Sequence, residues 1–138
     1  ESYTLPLGSG KIVREGDHLT IAALGPGVHQ ALAAAKTLEA EGVSAEVLDL
    51  RSLVPLDREL LFASVQKTGR LLVVDEDYQS FGVSGELIAS VVERDVSILR
   101  ASPARVAYPD IPIPFTPPME QYALPNSEKI HAAACRML

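Results

Sequence analysis

Gly25-Pro26-Gly27-Val28-His29-Gln30 sits between an apolar run and a helical pattern, and Asp49 ends the next apolar run about 20 residues farther on. This is the outline of a dinucleotide fingerprint, in which glycines let backbone approach a pyrophosphate and a carboxylate meets a ribose hydroxyl. Gln30 occupies the third glycine position and Pro26 has no N–H, so the competing assignment is a tight strand-to-helix turn. Gly27, Val28 and His29 open the helix in both cases, and free amides at a helix start form an anion site by geometry alone. Asp75-Glu76-Asp77 has the oxygens a hard cation such as Mg²⁺ wants, but neighbours in an extended segment point apart, which favours a solvated loop. His18, His29 and His131 show no metal-ligand spacing to one another or to Cys135. Ser84, in Gly82-Val83-Ser84-Gly85, lacks the frame of a nucleophile elbow. On their own chemistry these residues name no catalytic group.

The elements that must position them follow from hydropathy. Ala45 to Leu50 reads as a strand covered on both faces, with Asp49 and Arg51 where it emerges, a local pair in the simplest reading. Pro55 fixes the exit, and Asp57 is placed to cap a helix over Arg58 to Lys67 that ends at Thr68-Gly69. Before it, Lys11 to Arg14 reads as an edge strand that turns through Gly16-Asp17 into the strand Leu19 to Leu24. Val28, Ala31, Leu32, Ala35 and Leu38 mark one face of the next helix, and Gly42 ends it. Leu71 to Val74 is a third core strand, ended by the acids, and a helix with Leu87, Ile88, Val91 and Val92 follows. Ala104 to Ala107 is the last strand. From 108 to 125 six prolines predict an extended arm, whose apolar residues Ile111, Ile113, Phe115, Met119, Tyr122 and Leu124 should lie on a surface. Asn126 or Ser127 then caps a final helix with Ile130, Ala133, Ala134, Met137 and Leu138 on its apolar face.

This order predicts an α/β domain with a mostly parallel sheet between helix layers and an antiparallel first strand. The chain has 138 residues and a net charge of −6, which suits one domain and disfavours nucleic acid or an anionic membrane as partner. The single Cys135 allows no internal disulfide, and no apolar run approaches the ~20 residues of a bilayer span, so a reducing cytoplasmic or organelle-matrix setting is expected. Residues 1–10 carry no signal pattern and read, with Gly8-Ser9-Gly10, as a flexible linker from a preceding domain, leaving 11–138 as the folded unit.

Three blocks are specific enough to carry a resemblance: Glu15 to Ile21, Ala45 to Asp57, and Ser64 to Glu76. Together they resemble the C-terminal domain of transketolase-like proteins. With Arg105-Val106, Pro109-Asp110-Ile111-Pro112-Ile113-Pro114-Phe115 and Leu124-Pro125, they resemble more narrowly the β subunit of 2-oxo acid dehydrogenase decarboxylating components of the pyruvate, branched-chain and acetoin types. The resemblance implies a three-layer α/β/α fold with a five-stranded, mostly parallel sheet whose first strand is antiparallel. It implies thiamine diphosphate and Mg in a full enzyme, held by an N-terminal β domain and an α subunit, with no cofactor, metal or catalytic residue supplied here. Implied partners are the α subunit, a second β subunit and a lipoyl-bearing acyltransferase. Ile113, Phe115, Met119, Tyr122 and Leu138 are the expected contact anchors. Where pyruvate-type relatives often carry Leu-Asp-Ala-Pro, this chain has Leu99-Arg100-Ala101-Ser102-Pro103. Arg100 reverses the charge offered to a basic docking domain, which points to a different acyltransferase geometry or an acetoin-type partner. The reading from another class is a free-standing nucleotide- or anion-binding regulatory module using Gly25, Gly27 and Asp49.

Overall fold

The computed structural model describes residues 4–138. Five strands, β1 (Lys11–Arg14), β2 (Leu19–Ala23), β3 (Ala45–Asp49), β4 (Leu71–Tyr78) and β5 (Ala104–Tyr108), form one sheet in the order β1-β3-β2-β4-β5. The β1–β3 pair is antiparallel and the other pairs are parallel. Helices α1 (Gly27–Ala40) and α5 (Ser127–Cys135) cover one face, α2 (Arg58–Thr68) and α3 (Val83–Asp95) the other. The alternation of side chains explains the layers: Leu19, Ile21 and Ala23, with Val47, Leu72 and Val74, pack beneath α1 and α5. Ala22, Leu48, Leu71 and Val73 point to α2 and α3. The expected three-layer architecture and the mixed sheet are what the chain adopts. Among the described residues no helix is long and apolar enough to cross a membrane.

Four local expectations need correction. β1 does not form a hairpin with β2; it pairs with β3, and Gly16 lets the chain pass against that strand. A Cβ at Gly16 would lie 2.2 Å from the Ala45 carbonyl carbon, so only glycine fits. The 108–125 segment is not extended throughout, because α4 (Pro117–Ala123) forms within it. Pro117 and Pro118 occupy the first helical positions, where a missing N–H costs nothing. Leu138 lies beyond the end of α5 and is half exposed, although Met137 is buried as expected. The Gly8–Gly10 joint is tied down: the Gly8 amide donates to Ser52 Oγ at 3.0 Å and the Gly10 amide to Asp57 Oδ2 at 3.0 Å. Of the linker expected over residues 1–10, residues 1–3 lie outside the described residues and residues 4–7 form no helix or strand.

Under α2 the sheet carries polar side chains where its periodicity calls for apolar ones. Thr20 Oγ1 hydrogen-bonds Ser64 Oγ at 2.8 Å and Thr68 Oγ1 at 2.7 Å, while Ser64 Oγ donates to Glu46 Oε1 at 2.5 Å. Glu46 is fully buried and ion-paired to Lys67, which also reaches Glu15 at 3.3 Å. Burial pushes the Glu46 carboxyl up, but the hydrogen bonds from Lys67 and Ser64 prevail and hold it below its ordinary value. The bond to Glu46 raises Lys67 in turn. A depressed carboxyl binds its proton less tightly folded than unfolded, so its contribution is complete at neutral pH and fades as pH falls below about 4. The raised lysine contributes below its unfolded value and loses that contribution as pH rises through the folded one. Lys67→Met, which strands a buried carboxylate, should cost about 1–3 kcal/mol, less than a fully buried pair because Lys67 is partly solvated. Urea unfolding at pH 7 checks this, and the deficit should shrink in acid.

Candidate interaction surface

β2, β3, β4 and β5 end at one edge of the sheet, and the loops leaving them form its surface. After β3, Asp49 accepts from the Arg51 amide at 3.2 Å and from its Nε at 3.4 Å, the local pair expected, with Arg51 at φ 60°. Asp57 Oδ1 caps α2 through the Leu60 amide at 3.0 Å. Ser52 Oγ donates to the Pro55 carbonyl at 2.8 Å. So fixed, the loop presents Leu53 and Val54 outward, Val54 being 93% exposed.

β4 runs through the acids instead of stopping before them. Asp75 is buried, not solvated: Oδ2 accepts from the Ser84 amide and Oδ1 from the Asp77 amide, both at 3.0 Å. One carboxylate thus serves the start of α3, whose adjoining Gly82 has no side chain to offer. The Gln79 amide donates to the Tyr108 carbonyl at 2.7 Å, and Arg105 donates to the Gln79 carbonyl at 2.6 Å. Asp110 takes both the Ser80 amide and its hydroxyl, at 3.2 and 2.5 Å, and the hydroxyl bond holds its carboxyl below the usual range. The Tyr78 and Tyr108 rings meet edge to face at 5.5 Å. Between these ties stands Phe81, at φ 62° with its ring in solvent. A bulky residue in the left-handed region costs about 1–2 kcal/mol, and here the ring gains no packing within the described residues in return. A Cβ at Gly82 would lie 2.1 Å from the Tyr78 carbonyl oxygen, so the next residue is glycine of necessity.

Farther along the same edge, Ile113, Phe115, Met119 and Tyr122 are exposed, as is Ile111. Lys129 steadies this segment: its Nζ donates to the carbonyls of Tyr122 and Leu124, and burial lowers its pKa. The four expected anchors lie on the segment that leaves the carboxyl end of β5, as Val54 and Phe81, which were not anticipated, lie on those that leave β3 and β4. A signal existed for Phe81, an aromatic set among Ser80 and Gly82 just past a core strand. Arg100 and Leu138 lie elsewhere. Arg100 packs its stem over Gly69, before β4 begins, and Arg70 donates to the Leu138 carbonyl at 3.4 Å, so both belong to the amino edge.

The helix-start anion site is not there. The amides of Gly27, Val28 and His29 donate to the carbonyls of Leu24, Gly25 and Pro26 at 3.0, 3.2 and 3.1 Å, which leaves none of the three for a phosphate. With that, the nucleotide-module reading loses its site, and the tight-turn reading of the glycines stands.

A five-stranded mixed sheet with one antiparallel edge, set between two helix layers, is the architecture of the C-terminal domain of transketolase-like proteins. The family model "Transketolase, C-terminal domain" matches residues 8–130, and the chain belongs to that family. It is 47% identical to the pyruvate dehydrogenase E1 component subunit beta-1 of Arabidopsis thaliana, over 98% of this chain and 37% of that protein. It is 42% identical to the Bacillus subtilis 2-oxoisovalerate dehydrogenase subunit beta, over 96% of this chain and 41% of the relative. Identity to the B. subtilis acetoin:2,6-dichlorophenolindophenol oxidoreductase subunit beta is 40%, over 99% and 40% of the two chains. A split-gene transketolase, solved as an inactive β4 tetramer, superposes with a TM-score of 0.82 at 32% identity, over 99% of this chain and 43% of the other. The chain spans about two fifths of the length of the relatives it matches.

Asp75→Ala should destabilise the chain by about 1–3 kcal/mol, by leaving two amides without their acceptor. Chemical denaturation measures the loss. If the acids were instead a solvated cation site, the substitution would be close to neutral in metal-free buffer.

Proposed function

We propose that this chain is the assembly domain of a β subunit in a thiamine-diphosphate-dependent 2-oxo acid or acetoin dehydrogenase, and that its carboxyl edge seats neighbouring subunits. The observation that carries the proposal is Phe81, a strained aromatic ring held in solvent by a hydrogen-bonded scaffold, with Val54, Phe115 and Tyr122 also exposed on the segments that leave β3 and β5. Exposed large apolar groups mark a surface meant to be covered, and aromatic anchors carry most of an interface's energy. The names of the relatives support the subunit role, since each is a β subunit of an oxidoreductase.

This chain's residues do not fit a thiamine diphosphate site. A diphosphate with Mg²⁺ needs hard oxygen ligands and free donors. The amides of the α1 start are occupied, both Asp75 oxygens are occupied, and the metal-capable cluster among the described residues contains a thiol and an imidazole. In this proposal the cofactor belongs to the three fifths of the relatives that the chain does not span, and to the α subunit. The chain contributes fixed contact surface, and no reacting group. The acyltransferase partner is part of the same proposal: Arg100, exposed at the amino edge and remote from the anchors, gives that contact a separate place and a charge opposite to the acidic type.

With thiamine diphosphate and Mg²⁺ alone, the chain should turn over no 2-oxo acid. In the complete β subunit, Phe81→Asn, which accepts a left-handed backbone more readily, should leave the domain folded and its thermal unfolding within about 1 kcal/mol of wild type. Paired with Phe115→Ser, it should shift sedimentation from oligomer toward monomer and lower activity in step with dissociation. A double variant that assembles as wild type does would remove the basis of the proposal.

A further inference from the structure

α1 and α5 lie side by side, the Ser127 amide at the start of α5 donating to Gln30 in the first turn of α1, and near the far end of α1 the chain brings three metal-capable side chains to one point. Glu41 caps the end of α1; His131 and Cys135 lie one turn apart on the same face of α5. His131 Nε2 is 3.0 Å from both Glu41 carboxylate oxygens and 3.6 Å from Cys135 Sγ, and the three ligand atoms all fall within 4.8 Å of one another. The simplest role of the contact is a hydrogen bond between helices. That account covers the Glu41–His131 pair, and helical spacing brings the Cys135 thiol to the same imidazole, 3.6 Å from Nε2 and 4.0 Å from Nδ1, so that all three ligand types converge.

We infer that Glu41, His131 and Cys135 form a site for a borderline divalent transition metal of the Zn²⁺ type. Zinc binds nitrogen at about 2.0–2.1 Å and sulfur at about 2.3 Å, and tetrahedral angles then set the two ligand atoms about 3.6 Å apart, the separation found here. The same bonds put nitrogen and carboxylate oxygen about 3.4 Å apart, so Glu41 needs to withdraw by only a few tenths of an ångström. Thiolate, imidazole and carboxylate together select zinc, cobalt or copper over Mg²⁺ and Ca²⁺, which take oxygen ligands. Three protein ligands leave a fourth position open. Glu41 and Cys135 are exposed and His131 is half-buried, so an ion reaches the cluster from solvent. Binding clamps the end of α5 to α1. This inference is independent of the assembly reading, since the site is built from different residues.

The test is titration of the purified, reduced protein with CoCl₂, followed by thiolate-to-cobalt charge-transfer absorption. Wild type should take up one equivalent with that band, ZnCl₂ should displace it, and MgCl₂ should not. Cys135→Ser should abolish the band, and His131→Ala and Glu41→Gln should each weaken affinity at least tenfold. His131→Gln serves as a second variant should His131→Ala lower the unfolding midpoint. Absence of the band in wild type would overturn the inference. So would full affinity in folded His131 variants, which would reduce the site to a thiol acting alone.

Discussion

Asp49, Asp57, Asp75 and Asp110 hold the carboxyl edge of the sheet, and the rest of that surface depends on how their oxygens are used. Each accepts at least one backbone N–H that no strand or helix bond uses, from a loop at Arg51 and Ser80 and from the first turn of a helix at Leu60 and Ser84. A buried or half-buried amide without an acceptor costs as much as a lost hydrogen bond, so a carboxylate at the mouth of each loop converts a mobile connection into a fixed one. These four carboxylates thus spend oxygens on backbone amides that would otherwise lack an acceptor.

Fixation of the loops is what makes the exposed rings meaningful. A flexible loop would fold Phe81 inward against Val83 or relax its φ. Here Asp110 fixes Ser80, Tyr108 fixes Gln79 and Gly82 fits beneath the Tyr78 carbonyl, so the residue between is left in a strained conformation with its ring outward. Strain held by surrounding structure is a recurring property of binding surfaces. The opposite edge is built differently. Arg70 reaches the carbonyls of Met137 and Leu138, and the Arg100 stem lies over Gly69, so there two arginines tie the chain together.

Much of the fold was legible because the strands under α1 and α2 are covered on both faces and read as apolar runs with glycine or acid at their ends. Leu71 to Val74 is too short for a helix and too apolar for a loop, and the structure makes it strand. The partner of β1 was not legible. Pairing is long-range, and the glycine that looked like a hairpin turn serves instead as a point of close passage against Ala45. Proline count misled at α4, because two of the six prolines sit where a helix tolerates them. At the surface, Ile113, Phe115, Met119 and Tyr122 could be named from their place in a proline-rich segment. Phe81 was signalled only by its place between Ser80 and Gly82 just past a core strand, since a positive φ leaves no mark in the sequence. The Glu41, His131 and Cys135 cluster was missed for a related reason: two ligands share one helical face, but the third arrives from 90 residues away.

The central claim is that the carboxyl edge is a contact surface built for other subunits. Amide hydrogen exchange of the complete β subunit, alone and with its α partner, reads this directly at residue level. The account requires that assembly slow exchange in residues 51–56, 79–83 and 110–122, with residues 96–103 unchanged until the acyltransferase is added. Unchanged exchange along the carboxyl edge, with protection confined to the amino edge, would contradict it.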